Sequence, residues 1–382
     1  MLLLLVMDNI VILSDEIRGL VGMPYAVGLI ARYLRRIGFS VFVISTYISD
    51  EAKSILEKDG ITSISLTNFP LADTFEISYL LNFVRETLLE YNSRLLNNIN
   101  YILNNAFVLN FSNYFTVNSH IWYGGGAISY IIQDIIEDKR PQLLPFINIT
   151  MKHIDKIFLN KINTNSIIKC FVSQFARQRY SLFGLSSSCV IHLPIDADLF
   201  KPIESPASDY VVVYFGKETK YNIVKAMLDA GIKIKAYGGK GARYAPHSLL
   251  EHKNLEFLGY VSYQKLRELY ANALYTAFPF TTEPFGYVPV ESMACGTPVL
   301  TYNKQGPSET VENGISGWLV QNDDEFIRMS RKIWKKGYNF QMRIASRKRG
   351  QLFDYRKIGK KWTKLIDIIN TYQLIKQYKS SI

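Results

Sequence analysis

The sequence predicts an α/β protein built as two successive domains, each a parallel sheet covered by helices. Three observations lead there. Short β-rich apolar runs alternate with segments of helical period along most of the chain. The alternation pauses at Lys201-Pro-Ile-Glu-Ser-Pro-Ala-Ser-Asp209, rich in proline and serine, and then restarts. The length, 382 residues, is enough for two compact cores of about 100–200 residues each.

Leu2–Met7 reads as the first strand, an apolar run that stops at Asp8. After the loop Arg18-Gly-Leu-Val-Gly-Met-Pro24, the pattern Tyr25–Ile37 puts Ala26, Leu29, Ile30, Tyr33 and Leu34 on one side, so a helix is predicted. Gly38 stands where a C-cap glycine belongs, and Ser40–Ser45 reads as the next strand. Further strands are expected at Ser63–Leu66, Ala106–Asn110, Ile168–Ser173 and Val190–Leu193. Beyond the Pro/Ser stretch, strands are predicted at Tyr210–Tyr214, Ile232–Tyr237, Leu255–Leu258, Tyr275–Phe278 and Val299–Tyr302. Helices are predicted at Tyr221–Ala230, Ser262–Ala273, Pro289–Ala294, Asp323–Lys336 and Tyr355–Gln377.

Composition removes several classes. Hydrophobic residues at 48% and charged residues at 20% exclude a disordered or collagen-like chain. No apolar run reaches the roughly 18–20 residues of a membrane helix, and the opening run has no basic segment before it, as a signal peptide would. Cys170, Cys189 and Cys295 form no CxxC pair, so the expectation is a reducing, cytoplasmic setting, with a Cys170–Cys189 bridge as the less favoured alternative. The net charge of +11 is uneven: residues 1–195 carry 16 Lys/Arg against 15 Asp/Glu, whereas residues 327–382 carry 16 against two. Such a basic segment suits an anionic membrane surface or polyanion, and a solvated helical face is the plain alternative. No RNP, KH or zinc-finger signature points to nucleic acid.

The segment Thr281-Thr-Glu-Pro-Phe-Gly-Tyr-Val-Pro-Val-Glu-Ser-Met-Ala-Cys-Gly-Thr-Pro-Val-Leu300 carries the most chemistry. A strand ends, a loop holds Glu283 and Gly286, and a helix begins near Pro289. The amides of Phe285, Gly286, Tyr287 and Val288 then point out of a helix N-terminus, an anion site. Carboxylates flanking a phosphate cradle do not grip phosphate; Glu283 and Glu291 suit hydroxyls on either side of it, as in a nucleotide sugar. The alternative makes Glu283 a charge complement to the helix N-terminus and Glu291 a surface residue.

This segment resembles the retaining glycosyltransferases of family 4, whose signature is a Glu, seven residues and a second Glu; Glu283 and Glu291 have that spacing. Asn254-Leu-Glu-Phe-Leu-Gly-Tyr-Val-Ser262 with Leu269-Tyr-Ala271 is similar to the family's strand and helix beneath the nucleotide. Gly306-Pro-Ser-Glu309 and Asn313-Gly-Ile-Ser-Gly-Trp-Leu-Val320 are similar to its post-signature loop and strand. Val190–Phe200 is similar to the segment before its interdomain linker. The likeness covers most of residues 168–320 and, more loosely, the N-terminal βαβ.

The resemblance implies the GT-B fold: two Rossmann-like domains facing across a cleft, with the last helix crossing back. Residues 1–200 would form the acceptor-side domain, 201–354 the nucleotide-sugar domain, and 355–382 the crossover helix and tail. It implies a catalytic set of Glu283, His120 and Lys217. Glu291 would hold ribose hydroxyls, Glu283 the donor sugar, and the amides of Phe285 to Val288 the diphosphate. Lys217 and Lys220 stand near where the family carries Arg and Lys on the diphosphate; Lys217 replaces the Arg and lacks its bidentate fork. Tyr260 falls on the nucleotide side. Gly22 and Met23 precede the first helix where Gly-Gly is common; an ordinary turn also explains them. His120, in Val117-Asn-Ser-His-Ile-Trp-Tyr123, matches a block whose His faces the acceptor.

The activity implied is transfer of a sugar, with retention, from a nucleotide-diphosphate sugar to a hydroxyl of a glycan, glycolipid or lipid-linked acceptor. The donor is a co-substrate, and neither cofactor nor metal is expected. Asp196-Ala-Asp198 has a metal-site spacing but belongs to the pre-linker segment and reads as structural, as does Asp323-Asp324 at a helix start. Two rivals stay open: a nucleotide-sugar epimerase or phosphorylase on the same fold, and a degenerate non-catalytic binding module.

Overall fold

The structure, a computed structural model, describes residues 8–68, 99–112, 115, 117–126, 142, 144–185, 189–239 and 244–380. The expected strand Leu2–Met7 lies outside them; the first described strand is β1, Asn9–Ser14. Its residues Ile10 to Leu13 are wholly buried, as a central parallel strand covered on both faces requires. There follow α1 (Met23–Arg36), β2 (Ser40–Ser45), α2 (Asp50–Lys58), β3 (Thr62–Ser65), α3 (Asn100–Asn104), β4 (Phe107–Asn110) and β5 (Ser119–Gly124). Then come α4 (Leu144–Asn165), β6 (Ser166–Phe171), α5 (Gln174–Ser181) and β7 (Cys189–Val190). These strands form one parallel sheet in the order β3-β2-β1-β4-β5-β6-β7.

Residues 201–209 run without helix or strand. The second half holds β8 (Val211–Tyr214), α6 (Tyr221–Asp229), β9 (Ile234–Tyr237), α7 (His247–Leu250), β10 (Leu255–Phe257), α8 (Tyr263–Asn272) and β11 (Tyr275–Phe278). It continues with α9 (Tyr287–Ala294), β12 (Val299–Tyr302), α10 (Gln305–Thr310), β13 (Gly317–Val320), α11 (Asp323–Lys336), α12 (Gln341–Gly350) and α13 (Tyr355–Ser380). Its six strands are parallel in the order β10-β9-β8-β11-β12-β13. Both sheets thus have the doubly wound order of a Rossmann-like domain, the second without an extra strand.

The last helix returns to the first domain. Trp362 is fully buried there against Phe111 and Tyr123, with ring centroids 5.2 and 5.0 Å away. Gly359 lets α13 close on Tyr33 of α1, since a Cβ would lie 2.3 Å from that ring. Trp362 is therefore core, and Trp334 is also packed against the core; neither is spare for a membrane.

One expectation fails outright. Cys170 and Cys189 face each other on β6 and β7, with Cα atoms 4.8 Å apart, and form a disulfide; Cys295 is free and buried. Strand register, invisible in a 19-residue spacing, brings them together, and the cysteine argument for a reducing compartment falls away. Among the described residues no helix is long and apolar enough to cross a membrane.

Candidate functional site

In a sheet of this order the connections leave in opposite directions around the first and fourth strands, which opens a crevice at their carboxyl ends. In the second sheet those strands are β8 and β11. The loop leaving β8 carries Lys217 and Glu218, and the loop leaving β11 carries Glu283. The two loops are tied by the bridge Thr219–Phe280 and by Thr281, whose amide donates to the Glu218 carbonyl at 2.8 Å.

Gly286 starts α9 in the left-handed region, φ 93°, where a Cβ would meet Pro307 at 3.2 Å and Pro289 at 3.3 Å. Ahead of it, Glu283 folds back: its Oε1 accepts the amides of Phe285 at 3.1 Å and Gly286 at 3.0 Å. Here the expected diphosphate cradle needs correction. Phe285 and Gly286 do not present free amides, because the side chain of Glu283 caps them; Tyr287 and Val288 begin the helix two residues earlier than Pro289. Burial and the neighbouring Glu218 carboxylate push the Glu283 carboxyl up to about 7, against the two amides and Lys217.

Glu291, one turn into α9, is buried rather than on the surface. It accepts a hydrogen bond from Tyr270 at 3.3 Å, and Tyr270 in turn pairs with the Tyr237 hydroxyl. Burial pushes Glu291 up to about 8, so both glutamates are displaced from the ordinary carboxyl range toward neutrality. The hydroxyl of Tyr287 is buried with no partner among the described residues, a polar group left for a ligand or water.

Lys217 is half-buried, and its charge acts on Glu218 and Glu283. Lys220 goes elsewhere: its Nζ lies 2.7 Å from Asp323 and 4.9 Å from the Tyr302 ring centroid, so its ammonium serves an ion pair at the start of α11. Tyr260 is 77% exposed just past β10, beside Gly239 at the carboxyl ends of β9 and β10.

The first domain contributes the start of α1. Gly22 is the N-cap, with φ 62°, and Met23 lies against Gly125 at the end of β5. Tyr25, in the first turn, stacks on Tyr263 of α8 at 5.3 Å and stands 5.8 Å from Tyr287. The N-termini of α1 and α9 therefore face each other across the domain boundary.

His120 is not part of this constellation. It is the second residue of β5, at the amino end of the sheet, about 13 Å of strand rise from Gly124 and the cleft side. Its Nδ1 accepts the Val108 amide at 3.0 Å, its ring stacks on Phe107 at 4.3 Å, and burial lowers its pKa to about 4. It borders a cavity of about 700 Å³ with Asn100, Asn118 and Gln373. Against the expected acceptor-facing position, His120 lies near the start of β5 and serves the amino end of the sheet.

Other residues entered the site unannounced. Glu218 and Tyr270 reach the glutamates only through the pairing of loops and helices distant in sequence. Gln305 has a local signal, since it directly precedes Gly306 in the post-signature loop, but its side-chain contact belongs to the fold. Among the described residues no cluster of three metal-ligating side chains occurs.

Residues 208–351 match the family described as "Glycosyl transferases group 1". Over this stretch the chain is similar to that family. The matched stretch spans β8 to the end of α12 and so contains Lys217, Glu283 and Glu291. Similar relatives include the D-inositol 3-phosphate glycosyltransferases of Mycobacterium tuberculosis and Mycobacterium bovis, 30% identical over 174 residues. That stretch is 39% of this chain and 36% of the relative, so the likeness spans about a third of these relatives' length. Among solved structures, Anabaena HepE in complex with UDP superposes with a TM-score of 0.68 at 18% identity, covering 94% of this chain and 99% of that one. Sucrose-phosphate synthase from Thermosynechococcus elongatus gives 0.64 at 17%, covering 98% and 100%. WaaG, a glycosyltransferase involved in lipopolysaccharide biosynthesis, gives 0.64 at 13%, covering 94% and 99%. At these identities the likeness establishes the fold, so the matched stretch sits in a two-domain GT-B architecture.

Proposed function

We propose that the chain is a retaining glycosyltransferase of the family 4 type, moving a sugar from a nucleotide-diphosphate sugar to an acceptor hydroxyl in glycan or glycolipid assembly. The observation that carries this reading is the convergence of Glu283, Glu291, Lys217 and the α9 N-terminus at the switch point of the second sheet. Glu291 receives the ribose hydroxyls and Glu283 those of the donor sugar. The amides of Tyr287 and Val288, with Lys217, take the diphosphate. In the transfer the bond between the anomeric carbon and the diphosphate oxygen breaks, and the acceptor oxygen bonds that carbon on the same face. The leaving diphosphate takes the acceptor proton. Lys217 and the helix N-terminus stabilise the charge that builds on the leaving group, which leaves no step that calls for a metal.

The solved neighbours include complexes with UDP and with UDP-glucose, which makes uridine the first base to try. Thermal shift and calorimetry with UDP, GDP, ADP and TDP, with and without EDTA, test the donor site. A base-specific response that survives EDTA supports it; no response from any nucleotide refutes it. Transfer at wild-type rate by a Glu283→Gln, Glu291→Gln double variant refutes the catalytic part. Nothing in the site favours an epimerase or phosphorylase over transfer.

For the acceptor side we infer an anionic membrane surface. On α13, Ile368, Tyr372 and Ile375 are 50–57% exposed and share a face with Lys357, Lys361, Lys364 and Lys379. Flotation with vesicles containing anionic lipid, lost on Tyr372→Ser, Ile375→Ser, is the expected behaviour; equal flotation of the variant refutes it.

A further inference from the structure

We propose that Gln305 is a positioning residue that acts through Glu283, a role resting on the donor-site reading above. Gln305 opens α10 with φ 57°, one of two non-glycine residues at positive φ among those described. A left-handed backbone is unfavourable for a side chain of this kind, and it persists where surrounding contacts hold it. The contacts here converge on one residue. Oε1 of Gln305 accepts the Glu283 amide at 2.6 Å, and the next amide, that of Gly306, donates to the Glu283 carbonyl at 3.0 Å. Both backbone polar groups of Glu283 are therefore gripped by two consecutive residues.

The left-handed turn makes this double grip geometrically available. It points the Gln305 side chain and the following N–H the same way. Gly306 completes the approach: a Cβ there would fall 2.4 Å from Cα and N of Phe285, so no other residue fits. With its backbone held, Glu283 has its carboxylate folded onto the Phe285 and Gly286 amides, ready for a sugar hydroxyl without further ordering. The side-chain amide orientation follows from chemistry, since a backbone N–H needs the oxygen and not the NH₂. A conformationally neutral turn would ask only for glycine at 305; glutamine is the residue that adds an acceptor.

The test compares wild type, Gln305→Gly and Gln305→Glu by calorimetry with UDP, GDP, ADP and TDP and with the four matching nucleotide-glucose conjugates. Gly accepts the left-handed backbone, so the melting temperature of Gln305→Gly should equal or exceed that of wild type. Its affinity for the bare nucleotide should hold, while the extra affinity contributed by glucose falls about tenfold, the scale of one lost hydrogen bond. Gln305→Glu keeps an acceptor and should recover that increment, with its pH dependence moved upward by the added negative charge beside Glu283. A Gln305→Gly protein that binds conjugate as wild type does overturns the proposal, as does one that melts earlier and loses nucleotide and conjugate alike. Wild type that binds none of the eight probes overturns the donor-site reading itself, and the role of Gln305 with it.

Discussion

The carboxylate of Glu309 accepts the backbone amide of Gln174 at 2.8 Å, across the boundary between the two domains. It also takes the Phe175 amide at 2.8 Å, so a side chain of α10 caps the N-terminus of α5. Beside it, the Ser173 hydroxyl donates to the carbonyl of Pro284 in the glutamate loop at 2.5 Å. The domain seam and the glutamate loop are thus mechanically joined.

Glu309→Ala should lower stability by about 1–2 kcal/mol, the range of a lost helix cap. Partial burial raises the Glu309 carboxyl, but the hydrogen bonds from His192 and the two amides outweigh it and hold the pKa below its ordinary value. A depressed carboxylate contributes stability above its unfolded pKa and loses it as pH falls through the folded one. The melting-temperature gap between wild type and variant should therefore stay constant from neutrality to about pH 5 and close in stronger acid. A gap that closes near neutrality instead would count against the cap.

Glu291→Gln should stabilise the empty protein while weakening nucleotide binding. Glu291 titrates at about 8 in the fold against 4.5 when unfolded, so the native state binds the extra proton between those values. Wild-type stability then declines as pH rises through that window, and the variant lacks this decline. At pH 8 the variant should be more stable by roughly 3–4 kcal/mol, and below about pH 4 equal. Melting curves at the two pH values decide it.

Lys217→Ala and Lys220→Ala should separate. Loss of Lys217 should weaken nucleoside diphosphate binding about tenfold, and added salt should shrink the difference. Loss of Lys220 removes a half-exposed ion pair with Asp323, worth at most about 1 kcal/mol, and should leave the dissociation constant within about twofold. Calorimetry at two ionic strengths separates them; equal losses would place Lys220 on the diphosphate as well.

His120→Ala should leave nucleotide affinity and turnover unchanged. It strips the Val108 amide of its acceptor and opens space beside Phe107, so a stability loss of about 1–3 kcal/mol is expected. A selective fall in turnover at unchanged stability would return His120 to the active site.

Much of this protein is determined by local sequence. The strands Ser40–Ser45, Tyr275–Phe278 and Val299–Tyr302 and the helix Asp323–Lys336 stand where their residues predict, because a parallel strand buried on both faces must be continuously apolar and an amphipathic helix must repeat near 3.6. The glutamate spacing in Thr281–Leu300 was equally legible, since α9 and its loop form one contiguous segment. Tertiary structure decided what depends on which segments meet. It set the burial that lifts Glu283 and Glu291, the diversion of Lys220 to Asp323, the disulfide across β6 and β7, the end of the sheet that His120 serves, and the grip of Gln305 on Glu283. Each joins residues through strand order or helix packing, and a linear pattern records a residue's own periodicity but not the partner that folding brings to it.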